Sequence, residues 1–244
     1  METALYLIPC PIDASDSTFE NSSDRRVLPD FNFEIVKNIR DFIVESRKSA
    51  VRFLISLDKD FPVDSCRFTE LSEHTDRKTD LSRILDPILK EKKPMGVISD
   101  AGCPCIGDPG SRAVELAQKK NVKVVPLVGP SSMILALMAS GFNGQNFAFN
   151  GYLPAKNGER EGKIRSLENR MYKENQTQLF IEAPYRNEKL LESLLKTLRP
   201  ETRLCIASGL TTKNEFIKTK TVSDWKKSNL PEINKIPAIF LIYM

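Results

Sequence analysis

Between Ser99 and Gly110 the chain places Asp100, Gly102, Cys103, Pro104, Cys105, Gly107, Asp108 and Pro109 in one short stretch. An apolar lead, Met95 to Ile98, precedes it, and a helix-like segment, Ser111 to Lys120, follows. A strand, a Gly-rich loop and a helix in that order turn backbone N–H groups outward at the carboxyl end of a sheet. Glycine lets a ligand approach the backbone because it lacks a Cβ, and proline removes donors and stiffens the loop. Such a stretch is either a tight strand-to-helix turn or a binding site. Arg112 is the nearest basic residue, so Asp100 and Asp108 suit hydroxyl groups or a cation and suit a phosphate poorly.

Two further stretches combine chemistry with a strand end. Gly129-Pro130-Ser131-Ser132 lies between a strand-like run and a helix-like one. One serine there serves as a helix cap, and the pair could equally meet a small ligand at the helix start. Glu182-Ala183-Pro184-Tyr185-Arg186 closes another apolar run with an acid, an aromatic ring and a base. That stretch reads either as an ion pair starting a helix or as part of a site, since α/β proteins hold ligands at strand carboxyl ends. Glu182 and Arg186 are the catalytic candidates.

Several other chemistries are excluded on residues. The chain has neither G-x-G-x-x-G after a strand nor G-x-x-x-x-G-K-[ST]. It has no G-x-S-x-G elbow, and its single histidine, His74, sits in a polar run, which argues against a Ser-His-Asp hydrolase. With one histidine, and with Cys103 and Cys105 crowded into a Pro-bounded loop, no metal site is expected.

The elements that must position these stretches follow from periodicity. Leu5 to Ile8 reads as a strand ending in Pro9-Cys10-Pro11-Ile12, and Asp13 to Asp30 as a polar loop. Phe33, Ile35, Val36, Ile39, Phe42 and Ile43 have helical spacing, and Val51 to Leu57 is helix or strand. Arg47 and Lys48 read as a solvated helix face. Phe68 to Leu71 is a strand leading to Glu73 and His74. Leu81, Ile84, Leu85, Ile88 and Leu89 mark an amphipathic helix despite Pro87. Val122 to Val128 is a strand, followed by a helix to about Ala139. Alternating strands and helices predict a parallel sheet covered on both faces. The pattern then restarts: strands at Phe147–Tyr152, Gln178–Ile181, Leu204–Ala207, Glu215–Thr219 and Ala238–Tyr243, with helices at Glu159–Lys173 and Asn187–Leu198. The fold class is therefore α/β, with two α/β domains, 1–129 and 130–244, and a site expected between them.

Composition agrees. The 244 residues carry 41% hydrophobic and 28% charged side chains, as in a soluble globular protein. A net charge of +4 permits an RNA partner without demanding one. No apolar run is long enough for a membrane helix, and Met1-Glu2-Thr3 lacks the basic start of a signal peptide. Five cysteines without a paired framework fit a reducing cytoplasm.

The motifs also resemble a known family. Ser99 to Gly110 is similar to the S-D-A-G-T-P-x-I-S-D-P-G signature of the tetrapyrrole (corrin/porphyrin) methylase superfamily. Within it, the likeness is to the branch that methylates ribose 2′-hydroxyls of bacterial small-subunit ribosomal RNA. Leu5 to Ile12 resembles L-Y-x-V-P-T-P-I, Val128 to Ser132 the P-G-P-S-A helix start, Phe149 to Pro154 F-x-G-F-L-P, and Glu182 to Arg186 E-S-P-H-R. The resemblance implies two α/β domains with a cofactor cleft between them, as in class III methyltransferases. It also implies a homodimer and S-adenosylmethionine as cofactor. Carried over, Asp100, Ala101, Gly102, Cys103, Ser131 and Ser132 line the cofactor site. The substrate-side motifs depart from the branch. Asp13-Ala14-Ser15 stands for G-N-L, Glu45-Ser46-Arg47 for E-D-T-R, and Ser208-Gly209-Leu210-Thr211-Thr212 for R-E-L-T-K. The expected function is S-adenosylmethionine-dependent methylation of ribosomal RNA. Methylation of a tetrapyrrole or another small molecule, and cofactor binding without turnover, are the alternatives.

Overall fold

The computed structural model describes residues 1–12, 27–72, 74–76 and 78–244. The chain divides into two compact units, Met1–Ser131 and Ser132–Met244.

The first unit is built on five parallel strands: β1 (Leu5–Ile8), β2 (Asp41–Val44), β3 (Arg67–Glu70), β4 (Met95–Ile98) and β5 (Val124–Pro126). Their order is β3-β2-β4-β1-β5. Helices α1 (Asp30–Val36), α2 (Arg47–Leu57), α3 (Asp86–Leu89) and α4 (Ser111–Lys119) connect them. Side chains alternate faces along each strand, so the sheet feeds two cores. Tyr6, Ile8, Phe42, Val44 and Ile98 pack with Phe33, Val36, Phe53 and Leu54 on one face. Leu5, Ile43, Met95 and Val97 pack with Leu85, Ile88, Ala113 and Ala117 on the other. The expected parallel sheet with both faces covered is what the unit forms.

Three local expectations change. The apolar spacing from Phe33 to Ile43 is not one helix: α1 ends at Val36, and Asp41–Val44 is a strand next to β4. A central parallel strand is buried on both faces and so reads as a continuous apolar run, which a helical pattern can absorb. Val51 to Leu57 resolves as helix, with Ser46 capping α2 by accepting from the Ser49 N–H at 3.4 Å. Arg47 and Lys48 are exposed, as expected of a solvated face. Of the helix expected over Leu81–Leu89, only Asp86–Leu89 is helical, because Pro87 fits the first turn and would break an interior one. β5 is also shorter than the run 122–128 suggests. The polar loop expected over 13–30 lies outside the described residues up to 26, as does Glu73; at its far end Asp30 opens α1.

The second unit departs from the parallel pattern. Its sheet has the order β6-β7-β10-β8-β9, from β6 (Phe147–Tyr152), β7 (Thr177–Ile181), β8 (Arg203–Ser208), β9 (Phe216–Thr221) and β10 (Ala238–Tyr243). Only β6 and β7 pair in parallel; the last strand, β10, inserts between β7 and β8 antiparallel to both. Helix α5 (Ser132–Ser140) packs on β9 and β10, while α6 (Asn157–Glu174) and α7 (Asn187–Thr197) bury Ile164, Leu167, Met171, Leu190, Leu191 and Leu194 in the main core. A short helix that periodicity missed, α8 (Val222–Lys226), buries Trp225, whose indole N–H donates to the Leu204 carbonyl at 2.9 Å. Its five residues are too few to show a helical period.

Phe240 on β10 is fully buried, and its ring lies 6.2 Å from Phe180. Phe240→Ala is expected to lower stability by about 3–5 kcal/mol, as for other buried phenylalanines. Urea unfolding followed by the fluorescence of Trp225, the sole tryptophan, measures this. An unchanged midpoint would contradict the packing.

Candidate functional site

In the first unit three strand ends are tied together. Leaving β1, the Cys10 N–H donates to the Gly102 carbonyl at 2.9 Å, and the Gly102 N–H returns to Pro11 at 3.4 Å. Leaving β4, the Cys103 thiol donates to the carbonyls of Pro130 at 3.3 Å and Gly129 at 3.5 Å, beyond β5. Gly102 has φ +67°, and a Cβ there would stand 3.3 Å from the Pro130 carbonyl oxygen. A Cβ on Gly129 would collide with the Pro9 ring at 2.3 Å. Glycine is therefore favoured at Gly102 by its conformation and the nearby carbonyl, and at Gly129 by the close approach of the Pro9 ring.

Asp100 sits at the edge of this knot, half-buried. Its backbone N–H reaches Glu45 Oε2 at 3.4 Å. Burial pushes its carboxyl above the ordinary aspartate value, opposed by the Ser49 hydroxyl, the Arg52 charge and the Ser46 backbone N–H. These partners belong to the start of α2, so the helix's positive end faces the carboxylate. Ala101 is exposed beside it, Gly102 buried and Cys103 half-buried. Ser99 is buried beneath, its hydroxyl donating to the Ala101 carbonyl at 3.1 Å.

Asp108 behaves differently. Its carboxylate accepts from the N–H groups of Cys105 at 2.8 Å and Gly110 at 2.7 Å, so it staples the loop from within. Burial raises its carboxyl value, and the Asp100 charge adds to the rise. Of the two acids in the loop, Asp108 is committed to the loop's own backbone, whereas Asp100 turns to the start of α2.

Ser131 is half-buried at the end of the Gly129 turn, and Ser132 is the first residue of α5. Because Cys103 bonds to the carbonyls just before Ser131, the structure brings Asp100–Cys103 and Ser131 to one side of the first sheet. Glu182 and Arg186 belong to the second unit. Glu182 is buried, and its Oε1 accepts from Arg186 Nη2 at 2.6 Å, Arg186 Nε at 2.9 Å and the Ala183 N–H at 2.7 Å. That pairing raises the Arg186 value further, so the guanidinium stays charged. Oε1 thus aims the arginine, while Glu182 Oε2 is buried without a hydrogen-bond partner among the described residues.

Sequence reasoning missed the shell of Asp100, namely Glu45, Ser46, Ser49 and Arg52. The segment Glu45-Ser46-Arg47 was visible as a motif, but with β2 hidden inside a supposed helix nothing placed it beside β4.

Known proteins sharpen these features. Residues 39–225 match the profile of the Tetrapyrrole (Corrin/Porphyrin) Methylases. The chain belongs to that family. Tetrapyrrole methylases use S-adenosylmethionine as methyl donor, and the protein is a methyltransferase of this kind. It is 29% identical over 243 residues to "Ribosomal RNA small subunit methyltransferase I" of Buchnera aphidicola subsp. Schizaphis graminum, covering 98% of this chain and 77% of the relative. The like-named proteins of Vibrio cholerae and Thermotoga maritima are 32% and 33% identical, over 87% and 70% of this chain and 67% and 70% of their own. Among solved structures, the methyltransferase CobJ superposes with a TM-score of 0.56 at 14% identity, covering 89% of this chain and 88% of its own. Uroporphyrin-III-C-methyltransferase from Thermus thermophilus gives 0.52 at 14% identity, over 99% and 92%. These two share the tetrapyrrole methylase fold. Among the described residues no helix is long and apolar enough to cross a membrane.

The thiols offer a test of the knot. Burial pushes Cys103 upward, and Cys105, with Asp108 beside it, up to about 12. The reactive form is the thiolate, present only near and above the thiol's own value. Native protein at pH 8 should therefore take up iodoacetamide at Cys103 and Cys105 far more slowly than unfolded protein, by mass spectrometry of peptides. Rapid native labelling of either would contradict the structure.

Proposed function

We propose that the protein transfers a methyl group from S-adenosylmethionine to a ribose 2′-hydroxyl of small-subunit ribosomal RNA. The observation that carries the reading is the Asp100–Cys103 knot, within a chain alignable over 98% of its length with a protein named for that RNA. The residues present fit the cofactor. Asp100 offers a carboxylate for a cationic or hydroxyl-bearing group, Gly102 lets the loop pack closely behind it, and Ala101 beside it is exposed. Ser131 and Ser132 complete this set. Bound S-adenosylmethionine supplies a methyl group on a cationic sulfur, open to attack by a hydroxyl oxygen. The chain's part is to hold the two reactants in line, and orientation of this kind accounts for much of a transfer rate. Arg186, aimed by Glu182, offers a fixed cation that can hold a phosphate or stabilise charge developing on oxygen. We further propose a cytoplasmic homodimer; the exposed Ile134 and Met138 on α5 are apolar positions that a second copy would cover.

A small-molecule acceptor is the second reading, favoured by the departures at Ser208–Thr212, where no arginine or glutamate stands. Ribosomal RNA from cells lacking the protein separates the two. The RNA reading expects a missing 2′-O-methyl group that purified protein and labelled S-adenosylmethionine restore. RNA that is identical with and without the protein would exclude it.

Asp100→Asn is expected to weaken cofactor binding by at least tenfold in titration calorimetry. Because burial disfavours the ionised acid, the variant should unfold no earlier than wild type at pH 7. For the wild type, the sign is set by the raised value: the charge is present above it and lost below. Cofactor affinity should therefore fall on acidification at a higher pH than an ordinary aspartate would give. Unaltered affinity in Asp100→Asn would place the site elsewhere.

A further inference from the structure

The carboxyl end of the β6–β7 pair carries a feature that methyl transfer itself does not require. β6 is interrupted by a bulge between Phe149 and Tyr152, with Gly151 at φ +64°. Asn150 pins the bulge, its side-chain amide donating to the carbonyls of Ala148 at 3.1 Å and Leu179 at 3.2 Å and to Gln178 Oε1 at 3.1 Å. A bulge re-aims the next side chain, and here it sets Tyr152 opposite Ile181, one residue before Glu182. Tyr152 is 58% exposed and Tyr185 66% exposed. The Arg186 guanidinium lies 5.2 Å from the Tyr185 ring centre and donates to its hydroxyl at 3.3 Å. Both tyrosine hydroxyls add to the electrostatic pull that keeps Arg186 charged, which places Tyr152 near the same guanidinium. The exposed Lys235 continues the basic surface, its backbone N–H donating to Pro184 at 3.1 Å. Lys213 is exposed in the loop after β8, whose end pairs with the start of β10 and so lies at this same sheet end. Two carboxylates here are already engaged, Glu182 by Arg186 and Glu215 by the Thr211 N–H at 2.8 Å; Glu188, in the first turn of α7, is exposed.

Large aromatic rings are normally turned inward, and a pair held outward beside a fixed arginine has the composition of a stacking surface for single-stranded RNA. We propose that Tyr152 and Tyr185, with Arg186 beside both, form a platform on which one unpaired nucleobase of the RNA substrate stacks. The platform rests on the RNA reading given above. Its occupant is a base rather than a duplex, because every base has a stacking face and none is exposed within a paired helix. The phosphate beside that base then meets Arg186, Lys213 or Lys235. Tyr152 and Tyr185 are positioning residues: they bring the acceptor ribose to rest and touch no reacting atom.

The experiment has two arms. In the first, RNA from cells lacking the protein is the methyl acceptor. Tyr152→Ala and Tyr185→Ala should each raise KM for RNA about tenfold or more, the scale of one lost base stack, with kcat changed by less than about twofold. Tyr→Phe at either position should restore KM, and S-adenosylmethionine affinity should be that of wild type in all four variants. In the second, a single-stranded oligoribonucleotide carrying 2-aminopurine is titrated with protein. Wild type and the Phe variants should quench its fluorescence by stacking, and the Ala variants should not. Wild type that quenches but transfers no methyl to RNA would leave the platform standing and remove the RNA methylation reading. Wild type that methylates RNA, with Ala variants of unaltered KM and quenching, would overturn the platform alone. Loss of cofactor affinity in an Ala variant would also overturn it, by assigning the ring to the cofactor.

Discussion

Close backbone contact among the loops after β1, β4 and β5 is the constraint on which the site depends. A parallel sheet delivers its strand ends to one side, but delivery does not bring loops into bonding distance. That is done by the antiparallel bridge between Cys10 and Gly102 and by the Cys103 thiol on the carbonyls of Gly129 and Pro130. A Cβ would crowd the Pro130 carbonyl oxygen at Gly102 and collide with the Pro9 ring at Gly129. A half-buried thiol raised above its usual value remains a hydrogen-bond donor, so Cys103 holds two chain segments together without the reactivity of a free thiolate.

With the loops fixed, electrostatics divides the labour between the two acids. Asp108 satisfies backbone N–H groups inside the loop and keeps its shape. Asp100, beyond β4, faces the start of α2, where burial raises its carboxyl value and the Ser49 hydroxyl, the Arg52 charge and the Ser46 N–H oppose the rise. An acid held above its normal value at neutral pH is a cost to folding that a cationic or hydrogen-bonding ligand offsets. The second unit repeats the device with different residues: Glu182, buried and saturated on one oxygen, keeps Arg186 charged and aimed, and the bulge at Gly151 turns an aromatic ring towards it.

Sequence alone settled much of this. The Ser99–Gly110 stretch read as either a tight turn or a site, and its likeness to the tetrapyrrole methylases named the cofactor. Long amphipathic helices and short apolar strands were legible because their periods are local properties of a few turns or pleats. What remained hidden needed partners distant in the chain. β2 was invisible as a strand because burial on both faces erases the alternation that marks one. The Asp100 shell of Ser46, Ser49 and Arg52 was invisible with it, since register, not spacing, sets β2 beside β4. The antiparallel insertion of β10 between β7 and β8 leaves no trace in Ala238–Tyr243, whose apolar run would serve either direction. Which acid faces the start of α2, which thiol ties the loops and which rings stand exposed are likewise decided by hydrogen bonds between residues far apart in the chain. Residue types thus determined that methyl transfer chemistry is present, and tertiary contacts decided which atoms are free to take part in it.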